Sequence, residues 1–324
     1  MLCDVHHHFL PEEYVEAWKA SGTIPPGLTP PKWTLPTDLS FLDQNSISTT
    51  ILSLSAPGLT PFPAPLRAPF ARKVNTLAAS IVKSHPTRYG FFATLPISPG
   101  NDESIPLSTT VSELNHALDD LSADGVILFT SYDGLYLGHE FFRPLWTELN
   151  RRAAVVFVHP DSPGKLPPPA VKGGGVNIPP PIIDFPHETT RAAVSLITGN
   201  IIRDFPNVKI ILSHGGGTLP FVANRIANLG ADAGVLPAGK TAEEFIDEAR
   251  TFYFDLALTA FPGAMELVLG FARPGRVLYG SDFPFCRENT VRKQMKNLRG
   301  VELGEEEGLR ALFPRLMARR DEKV

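Results

Sequence analysis

The segment Asp4-Val5-His6-His7-His8 places three imidazoles in a row. In an extended strand His6 and His8 share one side and His7 faces the other. Two imidazoles at that spacing can both reach one divalent ion at about 2.0–2.1 Å. His6 and His8 are therefore candidate metal ligands, and His7 is expected to be a bystander in the layer behind the strand. Three further metal-capable side chains close apolar runs: His159 after Val155-Val156-Phe157-Val158, His214 after Ile211-Leu212-Ser213, and Asp282 after Tyr279-Gly280-Ser281. Taken singly, His159 has an ordinary reading as a core or turn histidine and Asp282 as a helix N-cap. Taken together, four of the nine histidines end strands, whereas His85, His116, His139 and His187 fall in helical or loop stretches where a solvated role suffices.

The elements that must position these residues alternate along the chain. Short apolar runs cover Leu2–His8, Thr49–Ser55, Tyr89–Leu95, Gly125–Thr130, Ala154–His159, Val208–His214, Thr251–Leu256 and Arg276–Ser281. Their near-continuous apolar character suits strands buried on both faces. Between them, helical periodicity marks Phe70–Ser84, Val111–Leu121, Glu140–Arg152, Glu188–Asp204, Pro220–Leu229, Ala242–Arg250 and Pro262–Phe271, with Glu305–Arg319 near the end. This alternation predicts parallel strands joined by helices and closed into one α/β domain over residues 1–324, a single (β/α)8 TIM-type barrel. The rival open sheet lacks its Gly-x-Gly-x-x-Gly turn, since His6-His7-His8 occupies that position. In a closed barrel the carboxyl ends of all strands meet on one rim, so residues distant in sequence converge there. Proline clusters at 24–36, 57–65, 160–169 and 179–186 read as long ordered loops on that catalytic rim, and Gly173-Gly174-Gly175 as a flexible loop tip.

Composition narrows the partner. A formal charge of -4 and a pI near 6.1 offer no basic field to nucleic acid and no polybasic stretch to a membrane surface. No secretory pattern opens the sequence, and no run of about 18 uncharged apolar residues suggests a membrane span. Cys3 and Cys286 make neither a disulfide framework nor zinc-ribbon spacing. The expectation is a cytoplasmic protein acting on a small molecule.

Five segments carry a family resemblance: Asp-Val-His-His-His-Phe-Leu-Pro (4–11), Phe-Val-His-Pro (157–160), Phe-Pro-His-Glu-Thr-Thr-Arg (185–191), Ile-Leu-Ser-His-Gly-Gly-Gly (211–217) and Leu-Tyr-Gly-Ser-Asp-Phe-Pro-Phe (278–285). In this order they resemble the metal-dependent amidohydrolase superfamily, in the branch of aminocarboxymuconate-semialdehyde decarboxylase and related aromatic-acid decarboxylases. Trp33-Thr34-Leu35, the segments 52–58 and 90–96, and Tyr136-Leu137-Gly138 carry a narrower likeness to 6-methylsalicylate decarboxylase-like proteins.

The resemblance implies that His6, His8, His159 and Asp282 ligate one divalent ion, Zn2+ or Mn2+, with His214 beside them as an orienting or acid–base histidine. It implies one ion because the two-metal relatives use a lysine at the end of strand four, and Gly125–Thr130 has none. It also implies a homodimer or homotetramer. The segment Pro31–Pro36 lacks the arginine with which the semialdehyde decarboxylase holds a second carboxylate, which disfavours a dicarboxylate substrate.

Such a centre serves two chemistries. In hydrolysis of a lactone or amide, the ion makes hydroxide available near neutral pH and Asp282 or His214 takes the proton. In nonoxidative decarboxylation of a substituted ortho-hydroxybenzoate such as 6-methylsalicylate, to m-cresol and CO2, Asp282 or His214 protonates the ring. The resemblance favours the second. A catalytically silent barrel is a third reading, disfavoured by the intact set of five site residues. For an aromatic carboxylate, Phe185, Trp33, Tyr132 and Phe283 are the candidate substrate contacts, with Phe62 and Phe285 behind them, although each could equally be packing. Arg191 reads as a structural helix residue.

Overall fold

In the computed structural model the described residues are 2–25, 28–100, 104–161, 172–173, 176–304 and 306–322. Eight strands form one sheet in sequence order: β1 Cys3–Phe9, β2 Thr49–Leu54, β3 Tyr89–Thr94, β4 Gly125–Phe129, β5 Val155–His159, β6 Lys209–Leu212, β7 Tyr253–Asp255 and β8 Val277–Leu278. Every neighbouring pair is parallel. The segment after β8 returns to β1, where Val5 N–H donates to Tyr279 O at 3.0 Å, His8 N–H to Phe283 O at 2.7 Å and Asp282 N–H to His6 O at 2.9 Å. The sheet thus closes on itself as a (β/α)8 barrel. Strands β1 to β5 are buried along their whole length, which is why they read as unbroken apolar runs.

An inner core of Val5, Ile51, Phe92, Ile127, Val155, Phe157, Ile211 and Leu278 fills the barrel. Leu309 and Leu312 on the helix Glu306–Leu312, Leu316 on the helix Pro314–Asp321, and Phe313 between the two join that cluster from below. Arg315 pins this pair by donating to Leu118 O at 2.7 Å and Ala123 O at 2.9 Å, just before β4. The strand-start mouth is therefore plugged, and the polar residues gather at the opposite rim.

The helices differ from the sequence expectation where proline is concerned. Leu35–Gln44 starts at the edge of the first proline cluster, and Pro180–Thr198 absorbs the cluster at 179–186 that reads as loop. Pro180 and Pro181 sit in the first turn, which has no intrahelical N–H bond for proline to remove, whereas Pro186 lies inside the helix and leaves one carbonyl there without its N–H partner. A further helix, Glu12–Ser21, follows β1. The stretch read as one helix over Glu188–Asp204 breaks at Gly199-Asn200, where Asn200 takes φ 57°. A side chain at Gly199 would lie 2.2 Å from Gly138 O, so this close approach requires glycine. Residues 162–171, Gly174 and Gly175, and Glu305 lie outside the described residues, and with them most of the 160–169 cluster and the proposed loop tip. No helix among the described residues is long and apolar enough to cross a membrane.

Candidate metal centre

The site begins with an irregularity in β1. Asp4 pairs with Thr50 and His7 with Leu52, so Val5 and His6 together stand opposite the single residue Ile51. This bulge resets the alternation: Val5 packs in the inner core, and the next residue, His6, also faces inward, its ring 4.9 Å from that of Phe157. From His6 onward the alternation holds. His8 joins His6 inside, and their Nε2 atoms stand 3.1 Å apart.

The Nδ1 atoms are occupied elsewhere. His6 Nδ1 meets Asp255 Oδ2 at 2.9 Å, and His159 Nδ1 meets Pro160 O at 2.7 Å. His8 Nδ1 lies 3.0 Å from Ser53 Oγ. That hydroxyl donates to His7 O at 3.1 Å, so it must accept from the imidazole. Each of these three rings therefore carries its hydrogen on Nδ1 and has Nε2 left as a lone-pair donor. Asp282 Oδ1 lies 3.4 Å from both His6 Nε2 and His8 Nε2. One ligand atom each from His6, His159, His214 and Asp282 lies within 4.8 Å of the other three, and His8 joins the group through His6 and Asp282. Imidazole nitrogens and a carboxylate, all buried, form a donor set that fits a single divalent cation.

The electrostatics match a site built for positive charge. Burial would strip the proton from His6, but Asp255 and then Asp282 outweigh it and push its pKa up to about 10, so its Nε2 draws a positive charge, either a proton or a cation in the proton's place. Burial, helped by the charge on His6, lowers His8 against the pull of Asp282. His159 is driven well below its ordinary value by burial and the neighbouring imidazoles, and His214 falls to about 4 by burial and then by His6. Burial opposes ionisation of Asp282, yet the neighbouring imidazoles of His6 and His8 hold it well below the usual carboxylate range. His214 and Asp282 both adopt positive φ, 54° and 57°, in a region that non-glycine residues seldom enter. The Nδ1 of His214 is buried without a hydrogen-bond partner among the described residues.

His7 faces away from the cluster, as alternation requires, but it is more than a bystander. Its Nδ1 meets Asp4 Oδ2 at 3.0 Å and its Nε2 meets Asp38 Oδ2 at 2.8 Å. Asp38 also accepts from Tyr89 OH and Trp33 Nε1, each at 2.6 Å. Trp33 is thus tied into the network behind β1. Phe283 stacks on Phe41 with centroids 4.0 Å apart and lies 5.1 Å from the His7 ring, on the same side. Tyr132 stands one ring back from the cluster: its ring is 6.3 Å from Phe129, which is 6.2 Å from His159. Phe185 does reach the site, 6.0 Å from the His159 ring. Phe285 lies 5.7 Å from His8, whereas Phe62 stacks on Phe70 at 3.9 Å. Arg191 pairs with Glu188 on its own helix.

Sequence reasoning missed Asp255 and Ser53. Asp255 ends an apolar strand just as His159 does, so the signal was present. Ser53 carries none, because a serine within a strand has no distinguishing pattern.

Comparison with known proteins adds the lineage. The family described as amidohydrolase matches residues 3–313. A decarboxylase of Penicillium terrestre is 49% identical over 297 residues, covering 90% of this chain and 86% of that protein. A 6-methylsalicylic acid decarboxylase of Penicillium expansum is 41% identical over 327 residues, covering 97% and 96%. Among solved structures, an amidohydrolase II superposes with a TM-score of 0.82 at 29% identity, covering 99% of this chain and 100% of that one.

Proposed function

The chain belongs to the amidohydrolase family, and from that premise we propose that it is a metal-dependent decarboxylase of a substituted ortho-hydroxybenzoate such as 6-methylsalicylate. The carrying observation is the gathering of the His6, His8 and His159 imidazoles around Asp282 at the barrel rim, in a chain whose relatives are decarboxylases. In this reading those four residues hold one Zn2+ or Mn2+, since imidazole and carboxylate suit both. Held there, such an ion would supply Lewis-acid chemistry to the acidic oxygens of the substrate.

The protein's own groups do the rest. Phe185 and Phe285 wall the cluster with apolar rings suited to a flat aromatic substrate and keep water from it. Asp282 or His214, each held without a proton by its surroundings, takes up the phenol proton and passes it to the ring carbon that bears the carboxylate. The carbon–carbon bond then breaks, its electron pair returns to the ring, and CO2 departs. The phenol oxygen stores the charge in between, so no organic cofactor is needed.

Incubation with 6-methylsalicylate should yield m-cresol and CO2 in equal amounts, with a lactone and amide panel untouched. Turnover of the panel without m-cresol would replace this reading by the hydrolase. The same reading takes the protein as a cytoplasmic homodimer or homotetramer. Light scattering measures the assembly, and an active monomer at all concentrations rejects it.

A further inference from the structure

Asp255 ends β7 and is fully buried. Its Oδ1 accepts from the backbone N–H of Ala257 at 2.9 Å and of His214 at 3.2 Å. Its Oδ2 accepts from His6 Nδ1 at 2.9 Å. The bond to Ala257, two residues along, fixes the carboxylate on its own strand end, and the other two bonds reach β1 and the turn after β6. One arm sets the ring of His6. The other holds the main chain of His214, whose positive φ has to be imposed by its surroundings. Room for this bracket comes from Gly280: a Cβ there would lie 3.0 Å from Asp255 Oδ1 and 2.7 Å from His6 Cβ.

The geometry assigns Asp255 as a positioning residue that sets the metal-facing ring of His6 and the backbone of His214 in one fixed relation. Its oxygens are engaged by these three donors, and it is not among the residues grouped as ligands. By taking the Nδ1 hydrogen of His6 it leaves the Nε2 lone pair aimed at the centre. With Asp282, it also provides the two negative charges that balance a divalent cation in a buried site. The assignment rests on the ligand and proton-transfer roles given above, but its first test needs no substrate.

That test measures Zn2+ and Mn2+ affinity by chelator competition for wild type, Asp255→Asn and Asp38→Asn. The last variant removes an equally buried carboxylate from His7 instead of His6. Asp255→Asn should weaken metal binding by about 10–100-fold, whereas Asp38→Asn should bind near wild type. On metal-saturated enzyme with 6-methylsalicylate, Asp255→Asn should lower kcat by up to about 100-fold through misplacement of His214, with KM little changed. Wild-type affinity in Asp255→Asn, or equal losses in both variants, would overturn the assignment. If Asp255→Asn does not fold, Gly280→Ala displaces the same contact from outside and should weaken metal binding in the same direction; unchanged affinity there overturns it too. A wild-type protein inert toward 6-methylsalicylate would sink the decarboxylase reading while leaving the metal result standing.

Discussion

His6 Nε2 and His8 Nε2 face each other at 3.1 Å, a separation at which both cannot carry hydrogen. With both Nδ1 atoms already donating, two lone pairs point at one another beside a carboxylate, an arrangement that needs a positive charge between them.

Elemental analysis should therefore find about one zinc or manganese per chain. His8→Ala should lose most of it. Chelation should lower the Tm and added metal should restore it, because an ion that binds only the folded state stabilises that state. A metal-free preparation with full activity and an unchanged Tm would falsify the centre.

His7→Gln should keep the metal but cost stability. The imidazole bridges two buried carboxylates, Asp4 and Asp38, and glutamine cannot donate to both in that geometry. Breaking a buried pair of this kind costs about 3–5 kcal/mol, read as a lower midpoint in urea. Loss of metal with the fold intact would mean that the β1 bulge is misplaced.

His214→Ala separates two roles. If the imidazole moves or orients a proton, turnover should fall by about 10²–10⁴-fold while metal content stays near wild type. Since its ligand atom lies within 4.8 Å of those of His6, His159 and Asp282, a joint loss of metal and activity would make it a ligand. Retention of both would leave Asp282 as the proton carrier.

Phe185→Ala should raise KM for 6-methylsalicylate roughly tenfold, equivalent to about 1.4 kcal/mol of lost ring contact, with metal content unchanged. Trp33→Phe, which removes only the donor to Asp38, should leave KM near wild type and lower stability. The reverse pattern would exchange the two residues' roles.

Much of this architecture was legible along the chain because strand ends and helix periods are properties of neighbouring residues. Val155-Val156-Phe157-Val158 before His159 announces a buried strand ending in a ligand, and Asp282 follows the same rule. Asp255 obeys it as well, but a carboxylate at a strand end is distinguished only by what it meets. That partner, His6, lies 249 residues away.

The amino-acid order by itself determined the parallel alternation of strands and helices, the gathering of His6, His8, His159, His214 and Asp282 on one rim, and the separation of His7 from its neighbours. The tertiary structure decided what periodicity cannot encode. It placed the bulge that turns both Val5 and His6 inward, since a bulge exists only between two paired strands. It sent Trp33 and Phe283 behind β1 and brought Phe185 and Phe285 to the side of the histidine cluster, since residues of the segments between strands do not share the strand period. It also matched each imidazole to its own acceptor, Asp255, Ser53 or the carbonyl of Pro160. Those choices depend on distances across the closed barrel, and closure is the one property that no local stretch of chain possesses.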